Sequence, residues 1–166
     1  MKTLISIVFL VLLSVMLYQG HIFSEHGISL ISIQFANKEL GFLILQTWST
    51  ISYGDITLLQ LAKLNTQLDF AFIFSYVIFI ITMSNWQMQR EKWFPLNELL
   101  RFNLFSAFIA GALDVTENLR LIHNFHHFIS EDNYWGTAWL SGIKFFLVGL
   151  CSLVFLVSWI KSFIVR

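Results

Sequence analysis

The sequence predicts an all-α integral membrane protein: a four-helix transmembrane bundle with an extracytoplasmic amphipathic cap between the first and second spans. Composition carries the first half of that prediction. Of 166 residues 57% are hydrophobic and only 12% charged, against roughly 45–50% and about 25% in an average soluble domain. Four apolar runs carry the second half, because a helix crosses a bilayer core with about 20 residues, roughly 17–25 being tolerated. One Pro and eight scattered Gly leave no linker, so residues 1–166 are expected to form a single membrane domain. Zero formal net charge excludes the basic footprint of a nucleic-acid partner.

Spans are expected over about 4–20, 66–85, 99–123 and 137–161, with the cap over about 21–65. The first run, Leu4 to Tyr18, is short enough to resemble a secretory signal. Tyr18-Gln19-Gly20 lacks the small-residue cleavage pattern, so an uncleaved anchor is expected. Trp86, Trp93, Trp135, Trp139 and Trp159 fall near the ends of the runs, where amphipathic rings settle at a membrane interface. Lys2, Arg90, Lys92, Arg101, Lys161 and Arg166 fall on one side, which places both termini in the cytoplasm of a bacterial inner membrane.

In the cap, GISLISIQFA alternates enough to predict a short extended segment. In the following NKELGFLILQTWSTI, Leu40, Leu43, Ile44 and Trp48 have the spacing of a helix lying on the membrane surface. Asp55 is the expected N-cap of a helix that runs without a breaker into span two. Such a helix is longer than the bilayer core, so its first turns are expected outside the membrane, beneath the surface helix. QMQREKWFPLNELLR reads as a solvated connector, with Pro95 starting span three.

Charged residues inside the runs are the informative exceptions. Asp114, Glu117 and Asn118 share one face of span three at i, i+3 and i+4, and Asp69 and Tyr76 share a face of span two. Measured along each helix, Asp114 and Glu117 lie about 18 and 22 Å from the cytoplasmic end, and Lys144 about 9 Å below the outer boundary. Asp69 therefore joins them in one outer layer. Lipid exposure would cost roughly 2.5–3.5 kcal/mol for each Asp or Lys at a helix centre, so these groups are expected to face inward. One Lys144 cannot neutralise three carboxyls, and at least one acid is expected to hold a proton.

This cluster is the predicted site. Glu117, Asp114 and Lys144 are the candidate catalytic groups, and Asp69, Tyr76, Asn118 and Arg120 the candidate ligand contacts. Glu117 is the expected proton carrier, with Lys144 orienting Asp114 or holding an anionic head group. The expected ligand is a small amphipathic molecule or a membrane lipid, with acid/base proton transfer as the chemistry these residue types support. One alternative is a non-catalytic partner or assembly subunit, homo-oligomeric or not, whose polar core only sets helix register. Another is a proton-linked transporter subunit, against which the mostly Phe, Ile and Val sequence past Tyr76 argues.

His123, His126 and His127 are spaced so that one helix would present two or three imidazoles, with Glu131 and Asp132 following. One H-x-x-H-H box is fewer than membrane desaturases use; interfacial histidines are expected, with no metal and no cofactor. No nucleophile elbow, Walker loop or dinucleotide fingerprint is present. Cys151, alone in an apolar run, is expected to pack as a small hydrophobe. Gly111, Gly142 and Gly149 read as points of close helix approach.

LDFAFIFSY, AGALDVTENLRL and SGIKFFL together resemble a group of small bacterial four-span membrane proteins of uncharacterised activity. The matching positions are Asp69, Tyr76, Gly111, Asp114, Glu117, Asn118 and Lys144. The resemblance implies the four-span architecture and brings no reaction with it. The sterol isomerase and sigma-2 receptor group also buries acids in a four-helix bundle, an analogy of architecture only.

Overall fold

The computed structural model describes residues 2–164; Arg166, one of the cations used above to orient the chain, lies outside them. The chain is all-α apart from one two-residue hairpin. Its elements are α1 (Lys2–Glu25), α2 (Leu30–Gln34), α3 (Lys38–Thr50), β1 (Ser52–Tyr53), β2 (Ile56–Thr57), α4 (Leu58–Met88), α5 (Phe94–His127), a 3-10 turn (Glu131–Asn133) and α6 (Ala138–Ile164). Among the described residues, α1, α4, α5 and α6 are long and apolar enough to cross a membrane. They pack in sequence, α1 on α4, α4 on α5 and α5 on α6, with α6 also touching α4.

Local signals explain the boundaries. Gly27 adopts φ +79 and ends α1, with Ile28 N–H donating to Phe23 O and Gly27 N–H to Ser24 O, a Schellman closure that needs a left-handed residue. Ser29 then caps α2, accepting from Ser32 N–H, and Asn37 caps α3, accepting from Leu40 N–H at 2.8 Å. The expected extended segment is thus a capped helical turn, because Ser29 supplies the acceptor that a short helix needs and Ile33 can then point into the core.

Asp55 is not a helix cap. It follows Gly54 (φ +60) in the two-residue turn of the β1–β2 hairpin, where Tyr53 pairs with Ile56. Thr57 caps α4 instead. Its hydroxyl accepts from Gln60 N–H while the Gln60 side chain accepts from Thr57 N–H, a reciprocal capping box.

At 31 residues α4 is about 46 Å long and exceeds a roughly 30 Å hydrocarbon core. Its first turns pack under α3, as the sequence suggests, and the four apolar residues noted on α3 divide between its two sides. Gly41, Ile44, Leu45 and Trp48 are buried against Leu58, Ala62, Leu121 and Phe125, whereas Leu40 and Leu43 remain exposed. The Tyr134 ring occupies the space a Cβ on Gly41 would need, and its hydroxyl donates to Ile33 O at 2.8 Å. Burial pushes the Tyr134 phenol up to about 12, so it remains a donor at neutral pH.

Gly111 does admit a close neighbour: a Cβ there would lie 2.7 Å from Val77 Cγ2 on α4. Gly142 and Gly149 do not, since both face outward with open space beside them. The segment between α4 and α5 is also more than a solvated connector. Glu91 folds inward, accepts from Trp93 N–H and Ser158 Oγ, and pairs with Lys161 on α6. Although burial works the other way, these partners hold its carboxyl below the usual range.

Candidate functional site

The inward face of α5 is built from residues at i, i+3, i+4 and i+7, and it alternates between apolar and polar layers. Ala107, Ala110 and Gly111 form a small-residue layer, after which Asp114, Glu117 and Asn118 are all buried. Small side chains bring α4 and α6 close enough for short polar side chains to meet across the interfaces.

Lys144 of α6 is the hub. Its Nζ donates to Asp114 Oδ1 at 2.8 Å and lies 2.9 Å from Glu117 Oε2, and all three side chains are buried. The Tyr76 hydroxyl donates to Asp114 Oδ2 at 3.1 Å, and Asn118 Nδ2 donates to Asp69 Oδ2 at 2.8 Å. Three helices thus place two hydrogen-bonded sets side by side, Tyr76–Asp114–Lys144–Glu117 and Asp69–Asn118. Three carboxyls meet one ammonium there, so the group lacks cations.

Beside the group opens a cleft of about 580 Å³ between α1, α2, α4 and α6. Its walls are apolar, with Phe9 and Leu13 from α1, Phe72 and Phe79 from α4, and Val148 from α6. Phe9 stacks on Phe79 at 4.4 Å and joins α1 to α4. Asp69, Tyr76, Asp114, Asn118 and Lys144 line the cleft at one depth, while Gln34 and Asn65 line it nearer the α3 end. Volume and lining match those of small-molecule sites, which are mostly apolar with a few placed polar groups.

Several expected roles shift. Glu117 does not line the cleft: it is fully buried behind Lys144, its Oε2 also accepting from Ser141 Oγ at 2.8 Å. Asp69 is the half-buried acid, open to the cleft, and it replaces Glu117 as the carboxyl a ligand would meet. Lys144 has two of its three donors committed to carboxylates and lies over the Phe145 ring at 4.8 Å. Arg120 stands outside the group and donates to Gly136 O at 2.9 Å. With Asn124, whose amide pairs with the backbone of Trp135 in both directions, it moors the loop before α6.

The three histidines do not converge. His123 stacks between His127 (4.5 Å) and Trp135 (4.0 Å), while Nδ1–H of His126 donates to Ile122 O and that of His127 to His123 O. Among the described residues no three His, Cys, Asp or Glu gather as a metal site. Cys151 is buried, with Sγ 3.8 Å from Asn103 O.

Sequence reasoning missed a second polar layer nearer the Glu91 end, where the sequence past Tyr76 reads as Phe, Ile and Val. Asn103 Nδ2 donates to Cys151 O at 2.9 Å and Gln87 Nε2 to Ser158 O at 3.0 Å, with Ser84 and Ser106 buried beside them. Ser141 and Thr137 were missed as well; the Thr137 hydroxyl donates to Gln34 O at 2.8 Å and ties the start of α6 to α2, and the Ser141 hydroxyl donates to Glu117. Counting back from Lys144 by i−3 to Ser141 and then i−4 to Thr137, just before α6, would have suggested these last two.

Fold and cleft together define a class: an all-α protein with four membrane-length helices and a side cleft whose apolar walls enclose a polar patch. No family model, no curated protein and no solved structure matches this chain.

Proposed function

We propose that this chain spans a bacterial inner membrane four times, with both termini in the cytoplasm and residues 21–65 capping the extracytoplasmic side, and that it binds one amphipathic molecule in the cleft. The observation that carries the binding reading is the division of the cleft: Phe9, Phe72, Phe79 and Val148 suit a chain or ring system, and the Asp69–Asn118 pair suits a polar end. Intramembrane ionisable groups that face a cavity point the same way. Membrane insertion is supported by the length and hydropathy of the four helices, and orientation by the lysines and arginines at the Glu91 end.

A purely structural polar core is a weaker reading of the cleft side. Gln34 Oε1, on the cleft wall, is buried without a hydrogen-bond partner in the protein, which a core selected only for helix joining would avoid. A structural role does suit the buried side of the group, where Glu117, Ser141 and Lys144 fasten α5 to α6. For acid/base chemistry, Asp69 is the accessible carboxyl.

Native mass spectrometry of the purified protein tests the site. Wild type should carry a discrete bound molecule, and Val148→Trp, which fills the cleft, should lose it while keeping its melting temperature. Bulk phospholipid alone in both proteins would overturn the site. Single cysteines placed at Lys92 and Glu131 in a Cys151→Ser background test orientation: an impermeant maleimide added to intact cells should label the second alone.

A further inference from the structure

We infer that the polar end of the molecule held in this cleft is a protonated amine. This rests on reading the cleft as a ligand site, and it follows from which hydrogen-bonding atoms remain open there. The side-chain donors that the cluster presents to the cleft are turned toward carboxyls. Lys144 spends two of its three N–H groups on Asp114 and Glu117, with the Phe145 ring beneath it. The single Tyr76 hydroxyl proton goes to Asp114. Asn118 directs one amide N–H toward Asp69, which leaves its second N–H and its carbonyl oxygen.

Acceptors are what the cleft has to give. Asp69 Oδ1 takes no hydrogen bond from a described residue, and Asp69 lines the cleft. Gln34 Oε1, nearer the α3 end of the same cleft, is buried and unpartnered. The Tyr76 oxygen keeps its lone pairs. A head group with several N–H donors and a positive charge complements the open Asp69 oxygen, whereas a carboxylate or phosphate would add negative charge beside three carboxyls and one lysine. An ammonium also supplies the second cation that three carboxyls and one lysine lack. The apolar walls then select against small inorganic cations and for an amine carried on a hydrocarbon body.

Dodecylamine, dodecanol and dodecanoate, matched in chain length, separate the possibilities when titrated into detergent-solubilised full-length protein at pH 7. Binding is read by native mass spectrometry and by the shift in melting temperature. The amine should bind about tenfold or more tighter than the alcohol, the size expected of one charge-assisted hydrogen bond. Asp69→Asn should bring that preference close to one, Asp69→Glu should keep most of it, and Val148→Trp should abolish binding of the amine. Equal affinity for amine and alcohol, tighter binding of dodecanoate, or an amine preference unchanged in Asp69→Asn would overturn the head-group assignment and leave the cleft as an amphiphile site. Failure of all three amphiphiles to bind wild type would overturn both.

Discussion

Replacing Lys144 by Met removes the one ammonium that two buried carboxylates share, and the cost can be worked from the contacts. Asp114 and Glu117 have side chains 6% and 0% exposed, and each lies within 2.9 Å of Nζ. After the change Asp114 keeps only the Tyr76 hydroxyl and Glu117 only Ser141, with Glu117 Oε1 already unpartnered. Taking one partner from a buried ion pair costs about 3–5 kcal/mol, because the remaining charge is left in a medium that cannot solvate it. Lys144→Met should therefore lower unfolding stability by about that amount in a denaturant titration of the purified protein in detergent. Adding Asp114→Asn and Glu117→Gln to the same chain should recover most of the loss, since a neutral hydrogen-bonded set no longer needs a cation. A single variant within about 1 kcal/mol of wild type, or a triple variant no more stable than the single, would refute a charge-based role for the hub.

Gly111→Ala should separate α4 from α5, because the new methyl meets Val77 Cγ2 at 2.7 Å and a β-branched side chain has little room to yield. A loss of about 1–3 kcal/mol is expected, with Val77→Ala in the same chain restoring much of it. At the other end of the bundle, the lowered Glu91 carboxyl contributes stability that is fully present above its ordinary value, near 4.3, and is lost as pH falls through the lower folded value. Melting temperatures compared at pH 6 and pH 3 should thus fall more in wild type than in Lys161→Met, whose Glu91 has lost its main partner; equal falls would show that the pair contributes nothing.

What could be read in advance follows the range of the interactions. Asp114, Glu117 and Asn118 share a face because of helical spacing, which is a local property, and the same counting put Asp69 and Lys144 in their layer. Which member of that layer opens to the cleft and which hides behind Lys144 depends on the roll of α5 between two neighbours, and no local pattern records it. Glu91 looked solvated amid charged residues because its partner, Lys161, is 70 positions away. The inner layer was overlooked for a related reason: Ser84, Gln87, Asn103 and Ser106 are uncharged and scattered, and only packing reveals that they meet. Arg120 has the depth of the cluster but faces the loop, where Gly136 presents a carbonyl. The helical α2 was hidden by its alternating β-branched residues, and the Ser29 cap outweighed that preference.

The distribution of the buried ion pairs over the helices has a consequence for biosynthesis. Both paired acids travel on α5, while their shared cation is on α6, which leaves the ribosome later. Until about residue 144 has been translated, nascent α5 has no counter-charge of its own to offer Asp114 and Glu117. A chain halted in the loop after α5 would strand both acids, a ready signal for membrane quality control, whereas the completed chain seals them off from it.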